Sequence, residues 1–459
     1  MATSHGDGEA ERRVERAPGE TPPGPDGVPL AGNTFQFVRD PFAFYERCRE
    51  EFDSDVVHYR IAGTNGYMLT HPDDIQTVLV ERDRDFVKGT VVEQSIGAIA
   101  PTGLISTSGA EWQRDRNLIQ PAFYRERIET HAPMMGEYAS GFADSLPSGE
   151  PVRIDDRLKG LTLDVLAKTL LDVDVRDKQT AIGHASETIA ERFDTSGFSA
   201  YLPLWVPTPA NLRCKRAVQD FFDAVDEIIA ERQAEDEERD DLLSLLLERE
   251  YPDGTTMEPQ RVREQLMTFL FAGHETTALT LTYAIFLLAT NPEKQARVHE
   301  ELDALGGGTP TAADLADLPY LEQVIQEALR LYPPAFVIFR EPTNDVELGG
   351  YTIPAGSTLS LPQWNVHRDS RWYDDPEQFR PERWTESMEE ELPEYAYYPF
   401  GGGPRHCIGM RFATMEARLI LATLCQRFEF ESVTEAPLDL SMQITLQPSD
   451  GIDVIPRAR

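Results

Sequence analysis

Hydrophobic positions recur at helical spacing from residue 72 to about 305, and shorter alternating segments lie on either side of that stretch. A short helix is predicted over 41–51. Alternation over 56–61 and 67–70 predicts two strands joined as a hairpin around Thr64-Asn-Gly66. Loops near 88–108, 202–209 and 251–256 interrupt the helical stretch. Further strands are expected at 346–348, at 358–361 and within the last thirty residues, with an amphipathic helix over 408–427. The longest apolar element covers 265–290 and ends at Asn291-Pro292, a helix stop. Its length would suffice to cross a bilayer. However, Gly273-His-Glu-Thr-Thr277 sits in its middle, and ionisable groups there are costly in lipid. A helix apolar on every side also suits the centre of a large soluble protein, and that is the expectation here. There is no internal repeat. The pattern is mainly α with small β-sheets at one side, forming a single large domain over 21–459. Residues 1–20 form a polar tail expected to be disordered, and 21–33 read by themselves as a stiff, proline-rich linker.

Charge changes this picture. The 459 residues carry 79 acidic against 43 basic side chains, a net −36, and only six of the basic ones are lysines. The carboxylates are spread along the whole chain. Self-repulsion on that scale opposes compaction at low ionic strength and is relieved by salt, so a salt-adapted (halophilic), cytoplasmic protein is expected. Nucleic-acid binding is disfavoured, because phosphate contacts need basic stripes. The first twenty residues lack the apolar core of a signal peptide or membrane anchor. Cys48, Cys214, Cys407 and Cys425 show no CxxC pairing or disulfide-like spacing, which fits a reducing compartment.

One cysteine stands apart. Phe400-Gly-Gly-Gly-Pro-Arg-His-Cys-Ile-Gly409 sets Cys407 in a glycine-rich loop directly before a helix. Gly402, Gly403 and Gly409 would let backbone N–H groups approach the sulfur, and the helix N-terminus would favour its charged form. Upstream, Ala272-Gly-His-Glu-Thr-Thr277 puts Ala272 and Thr276 on one helix face with Gly273 beside them, so a flat ligand could come close to the backbone. The Thr276 hydroxyl can bond back to the carbonyl of Ala272. Glu275 is expected to pass protons inward from solvent, and His274 reads as a satisfied core or surface histidine. Glu327-Ala-Leu-Arg330 by itself reads as a surface pair.

Together these segments resemble the cytochrome P-450 family, and the resemblance runs from the proline-rich entry to the last strands. It implies the fold of that family and haem b (iron protoporphyrin IX) bound by Cys407 as the metal ligand. Phe400, Arg405 and Gly409 match the haem loop, and Ala272, Gly273, Glu275 and Thr276 match the oxygen-binding helix. The resemblance also makes Trp112 and Arg116, with Arg405 and Arg340, the propionate partners. It joins Glu327 and Arg330 to a second arginine, Arg383, in a buried pair, and leaves His367 a structural capping residue.

The implied reaction inserts one oxygen atom of O2 into a small lipophilic substrate, a fatty acid or an isoprenoid. Glu275 and Thr276 would manage protons, and electrons would come from a separate ferredoxin- or flavodoxin-type donor and its reductase. A peroxide-dependent or rearranging haem-thiolate enzyme and a haem gas or redox sensor are the alternatives. Ile96, Ile99, Leu104 and Ile105 are expected to form one substrate wall, and residues 201–207, between two helices, another wall or the entrance. Arg114, Arg116, Arg125, Arg127, Arg405, Arg411 and Arg418 are read as a docking face for the electron donor, with solvated helix faces as the competing reading.

Overall fold

The computed structural model describes residues 20–176, 178–234 and 239–459. At its centre is the helix Pro259–Thr290, begun by proline at its first position and closed by Asn291-Pro292. It extends six residues further toward the N-terminus than the apolar run, through the polar turn that carries Arg261 and Glu264. Nearly all its side chains from Val262 onward are buried, and its threonines return their hydroxyls to carbonyls four residues back, as Thr282 does to Ala278 at 2.7 Å. That bond is how a polar side chain survives in an apolar interior. Helices Ile154–Leu171, Pro319–Leu331 and Met410–Arg427 pack around it. Among the described residues no helix is long and apolar enough to cross a membrane.

The sheets lie at one side. The largest orders its strands Val56–Ile61, Thr64–Leu69, Thr358–Leu361, Ile338–Pro342 and Phe86–Val87. The first hairpin differs from its sequence expectation. Ile61 pairs with Thr64, and the turn is Ala62-Gly63, both at positive φ, rather than the segment around Asn65-Gly66. Gly66 is needed for another reason: a Cβ there would meet the ring of Tyr59 at 2.2 Å. A three-stranded sheet of Val152–Arg153, Asp453–Ala458 and Phe428–Ser432 closes the C-terminus, and a small hairpin pairs Leu440–Met442 with Leu446–Pro448.

The proline-rich segment is not a linker. His58 N–H donates to the carbonyl of Pro23 at 2.8 Å, and Asn33 binds both Pro25 and Arg60, so this segment is part of the folded body. Of the expected tail, residues 1–19 lie outside the described residues. Cys48, Cys214 and Cys425 are buried free thiols in the core.

Candidate active site

Above the N-terminus of helix Met410–Arg427 the chain folds a loop around one sulfur. Cys407 N–H donates to the carbonyl of Phe400 at 2.9 Å, closing the loop. Gly401 and Gly403 hold φ of 72° and 62°, and a Cβ on Gly403 would strike the carbonyl oxygen of Leu79 at 1.9 Å. A Cβ on Gly402 would enter the ring of Tyr395. Gly409 differs from its expectation: its φ is −86°, and a Cβ would meet nothing nearer than the cysteine sulfur at 3.9 Å. Its contribution is its amide. The amides of Gly409 and Met410 favour charge on the sulfur, and the Arg116 guanidinium adds positive potential, yet enclosure by the surrounding protein still pushes the thiol up. A metal cation at that sulfur would displace the proton outright.

The sulfur opens onto a cavity of about 360 Å³ that also receives Trp112, Arg116, Phe400, Arg405, Ala272, Gly273 and Thr276. Trp112 and Arg116 stand one turn apart on helix Gly109–Ile119. Arg116 bonds Gln120 at 2.7 Å and the carbonyl of His406 at 3.1 Å. The Arg405 guanidinium lies 4.5 Å from the centre of the Trp112 ring and donates to the carbonyl of Thr107 at 3.0 Å. Arg340, 6% exposed, donates to the carbonyl of Phe339 at 2.8 Å. Beside these sits Lys88, a residue the sequence reading passed over as part of a loop.

Burial and the neighbouring arginines drive the Lys88 ammonium well below its ordinary range. Burial and Arg405 lower Arg340 to about 10. Among the described residues no carboxylate forms an ion pair with Lys88, Arg340 or Arg405. Two arginines and a lysine gathered in one cavity, with Asp83 the one carboxylate acting on the arginines, make a fitting cradle for a group with two carboxylates. The chain alone offers no other metal site: among the described residues no group of three His, Cys, Asp or Glu side chains could hold an ion.

Across the cavity, Thr276 donates to the carbonyl of Ala272 at 2.8 Å, as its spacing suggests. Gly273 is small for a different reason than expected. A Cβ there would press on Leu166 at 2.8 Å, so the glycine serves helix packing as well as the cavity. His274 is fully enclosed with Nδ1 on the carbonyl of Leu270, and burial lowers it to about 4. Glu275 is not open to solvent. It is 3% exposed, its Oε2 accepts from the Thr445 hydroxyl at 2.9 Å, and burial raises its pKa.

The Glu327 carboxylate is fully buried and bonded on every side. It accepts from Arg330 at 2.8 and 2.9 Å, Arg383 at 2.9 Å, Trp384 Nε1 at 3.0 Å and the Arg380 amide at 3.0 Å. Arg330 continues to the carbonyl of His367, whose Nε2 accepts from the Tyr398 amide at 3.0 Å. Gly401 N–H then binds the Tyr398 carbonyl, so the pair reaches the cysteine loop through three links.

A second buried acid was missed. Glu416 on the cysteine helix is fully enclosed beside Thr277, and burial raises its carboxyl well above the ordinary range. The folded state therefore binds a proton there that the unfolded chain releases above about pH 4.5, and stability falls as pH rises past that point. Glu416→Gln is expected to melt higher than the parent at about pH 8, with the gap closing toward about pH 4.5. A gap independent of pH would refute this assignment.

The arginine docking face does not assemble as read. Arg116 and Arg405 point into the cavity. Arg125 pairs with Glu129, Arg127 with Asp240, Arg418 with Glu322, and Arg114 lies against Asp115 and the Tyr251 ring. Only Arg411 of the seven remains an exposed arginine without an ion pair among the described residues. Likewise, residues 201–207 line no part of the cavity: Trp205 is 77% exposed, and the Tyr201 hydroxyl bonds the carbonyl of Thr195. Ile96, Ile99, Leu104 and Ile105 do form a wall.

A cavity-facing thiol, a group of cations without an ion pair among the described residues and a threonine-bearing central helix fit a protein that carries an iron porphyrin. The sequence pattern of the family described as Cytochrome P450 matches residues 22–455. The chain is 34% identical over 444 residues to cyclooctatin synthase of Streptomyces melanosporofaciens, covering 95% of each. It is 34% identical over 406 residues to pentalenene oxygenase of Streptomyces avermitilis, covering 88% of this chain and 90% of that protein. Among solved structures, the retinoic acid-bound cyanobacterial CYP120A1 superposes with a TM-score of 0.85 at 26% identity, over 95% of this chain and 99% of that one. The chain belongs to the cytochrome P450 family and is a haem-dependent monooxygenase.

Proposed function

We propose that this monooxygenase oxidises an uncharged isoprenoid hydrocarbon, using O2 and electrons from a separate ferredoxin- or flavodoxin-type donor, in a salt-rich cytoplasm. The observation that carries the substrate class is a small apolar pocket of about 20 Å³ that shares Ile105, Thr268 and Ala272 with the main cavity. It is walled by Ile96, Ile99, Ile105, Ile189, Phe271 and Ile444, and its one hydroxyl, that of Thr268, is bonded to the carbonyl of Glu264 at 2.7 Å. A fatty-acid carboxylate would find no cation in that wall, and leaving it unpaired there is costly. The terpene-oxidising names among the relatives agree with this reading.

Within the proposal, haem b supplies the oxidising chemistry when bound. Cys407 would hold its iron through the sulfur, with Phe400 and Gly409 around it. Trp112, Arg116, Arg340, Arg405 and Lys88 would hold the propionates by charge-assisted bonds. Ala272 and Gly273 would let the ring approach the helix backbone. The Thr276 hydroxyl would hold a proton at the cavity wall, and Glu275, whose pKa burial raises, would replenish it. Retention of this acid–alcohol pair favours the monooxygenase reading over peroxide-dependent, rearranging or sensing roles.

Cyclic sesquiterpene or diterpene hydrocarbons are expected to shift the spin state of the ferric protein at lower concentration than fatty acids of equal carbon number. Tighter binding of the fatty acids would overturn the substrate class. Thr276→Val is expected to keep substrate binding while product formation falls about 10²-fold, the scale of one lost proton-handling group. An unchanged product yield per electron would remove Thr276 from that role. The net charge of −36 predicts that melting temperature and activity fall as salt is withdrawn, and insensitivity to salt would refute halophilic adaptation.

A further inference from the structure

The hairpin Leu440–Met442 with Leu446–Pro448 brings two unlike contacts together at its tip. Ile444 lines the apolar pocket together with Ile189 and Phe271. The next residue, Thr445, donates its hydroxyl to the buried carboxyl of Glu275, and Gln447 Nε2 binds that same hydroxyl at 2.8 Å. The stems on either side are tethered. The Leu446 amide donates to the carbonyl of Pro334 and its carbonyl accepts from the Tyr283 hydroxyl at 2.7 Å. The Met442 carbonyl accepts from both the amide and the hydroxyl of Thr195, and the Ser441 hydroxyl binds Asp194 at 3.0 Å. Between those anchors only residues 443–445 are left to move, closed by one bond from the Gln443 amide to the Thr445 carbonyl.

We propose that this tip is a positioning element that ties occupancy of the pocket to the placement of Glu275. Bound hydrocarbon presses on Ile444, and Thr445 carries the displacement to the carboxyl. Glu275 is held by Thr445, which Gln447 in turn binds, away from the cavity that Thr276 lines. Filling the pocket shifts the tip, weakens that hold and frees the acid to swing toward Thr276. Lys159 on helix Ile154–Leu171 and Glu187 on helix Gln179–Arg192 also act on Glu275, with opposite signs, and neither moves with the tip. Proton supply is thereby restricted to molecules that hold a substrate. The proposal rests on the reading of Glu275 as proton source.

Difference infrared spectroscopy of the holoprotein, with the Glu275 carboxylic acid band assigned by its loss in Glu275→Gln, tests the hold without turnover. Adding hydrocarbon is expected to shift that band in the parent and to leave it unmoved in Ile444→Ala. Thr445→Val is expected to show the shifted band before any substrate is added, while retaining hydrocarbon binding. Product per reducing equivalent is expected to fall at least threefold in Thr445→Val and to return in Thr445→Ser.

A band indifferent to substrate in the parent, or a Thr445→Val variant that keeps both band and coupling, would overturn the tip proposal. If Glu275→Gln loses coupling while Thr445→Val keeps it, the acid's role stands and only the tip fails. If Glu275→Gln couples as well as the parent, the proton-source reading itself is wrong.

Discussion

Replacing Cys407 with serine is expected to remove oxygenase activity to below detection and to abolish the thiolate-type spectrum of the reduced carbon-monoxide complex. The local structure explains why no partial function survives. The amides of Gly409 and Met410, with Arg116 nearby, favour negative charge on the atom at this position. Burial pushes the thiol up, but a metal cation at the sulfur displaces its proton. A serine hydroxyl in the same cradle stays a neutral alcohol and a far weaker donor of electron density to iron. Haem content is expected to fall only in part, because the propionate contacts proposed for Arg116, Arg340, Arg405 and Lys88 would not depend on the sulfur. A Cys407→Ser protein that kept the thiolate-type spectrum would place the ligand elsewhere and overturn the site.

The second large effect is structural. Glu327→Gln is expected to destabilise the holoprotein by about 3–5 kcal/mol, the range for breaking one partner of a buried pair. Arg330 and Arg383 are both almost wholly removed from water and share this one carboxylate. Neutralising it leaves two guanidinium charges with amide and carbonyl partners alone. The loss is a large fraction of the about 5–15 kcal/mol that holds a typical domain together. Since the pair reaches the cysteine loop through His367 and Tyr398, haem is expected to be released at lower denaturant than in the parent. An exposed pair provides the control: Glu51→Gln, facing Arg47 in solvent, is expected to leave the melting curve where it was. Equal melting curves for Glu327→Gln and the parent would refute the keystone role.

Parts of the site close together in sequence were legible before the fold was known. Phe400, Arg405, Cys407 and Gly409 occupy ten successive residues, and Trp112 with Arg116 needs only one helical turn, so local spacing carried the geometry. Lys88 was not legible. It reaches the cavity because Phe86–Val87 pairs with Ile338–Pro342, bringing it beside Arg340 from some 250 residues away. Nothing in its neighbourhood announces that pairing. Thr445 is hidden in the same way, joined to Glu275 across 170 residues by a hairpin of three residue pairs.

Where local signals misled, a competing tertiary demand explains it. Asn65-Gly66 carries a strong turn signature, but the strand register placed the turn at Ala62-Gly63 and used Gly66 to admit the Tyr59 ring. The arginines read as a dock are individually basic, yet a chain this acidic surrounds most of them with carboxylates. Charge counted along a sequence says little about charge left over in space.

The crowding of Lys88, Arg340 and Arg405 bears on how the cell keeps its supply of this enzyme in working order. Arg340 and Arg405 oppose a proton on Lys88 and Arg405 opposes the charge of Arg340, with Asp83 offsetting the two arginines, so a bound dianion would add stability that the chain by itself lacks. By mass action, chains that bind such a group are expected to resist proteolysis longer than chains that do not. The charges proposed to hold the prosthetic group would then also sort the population toward competence.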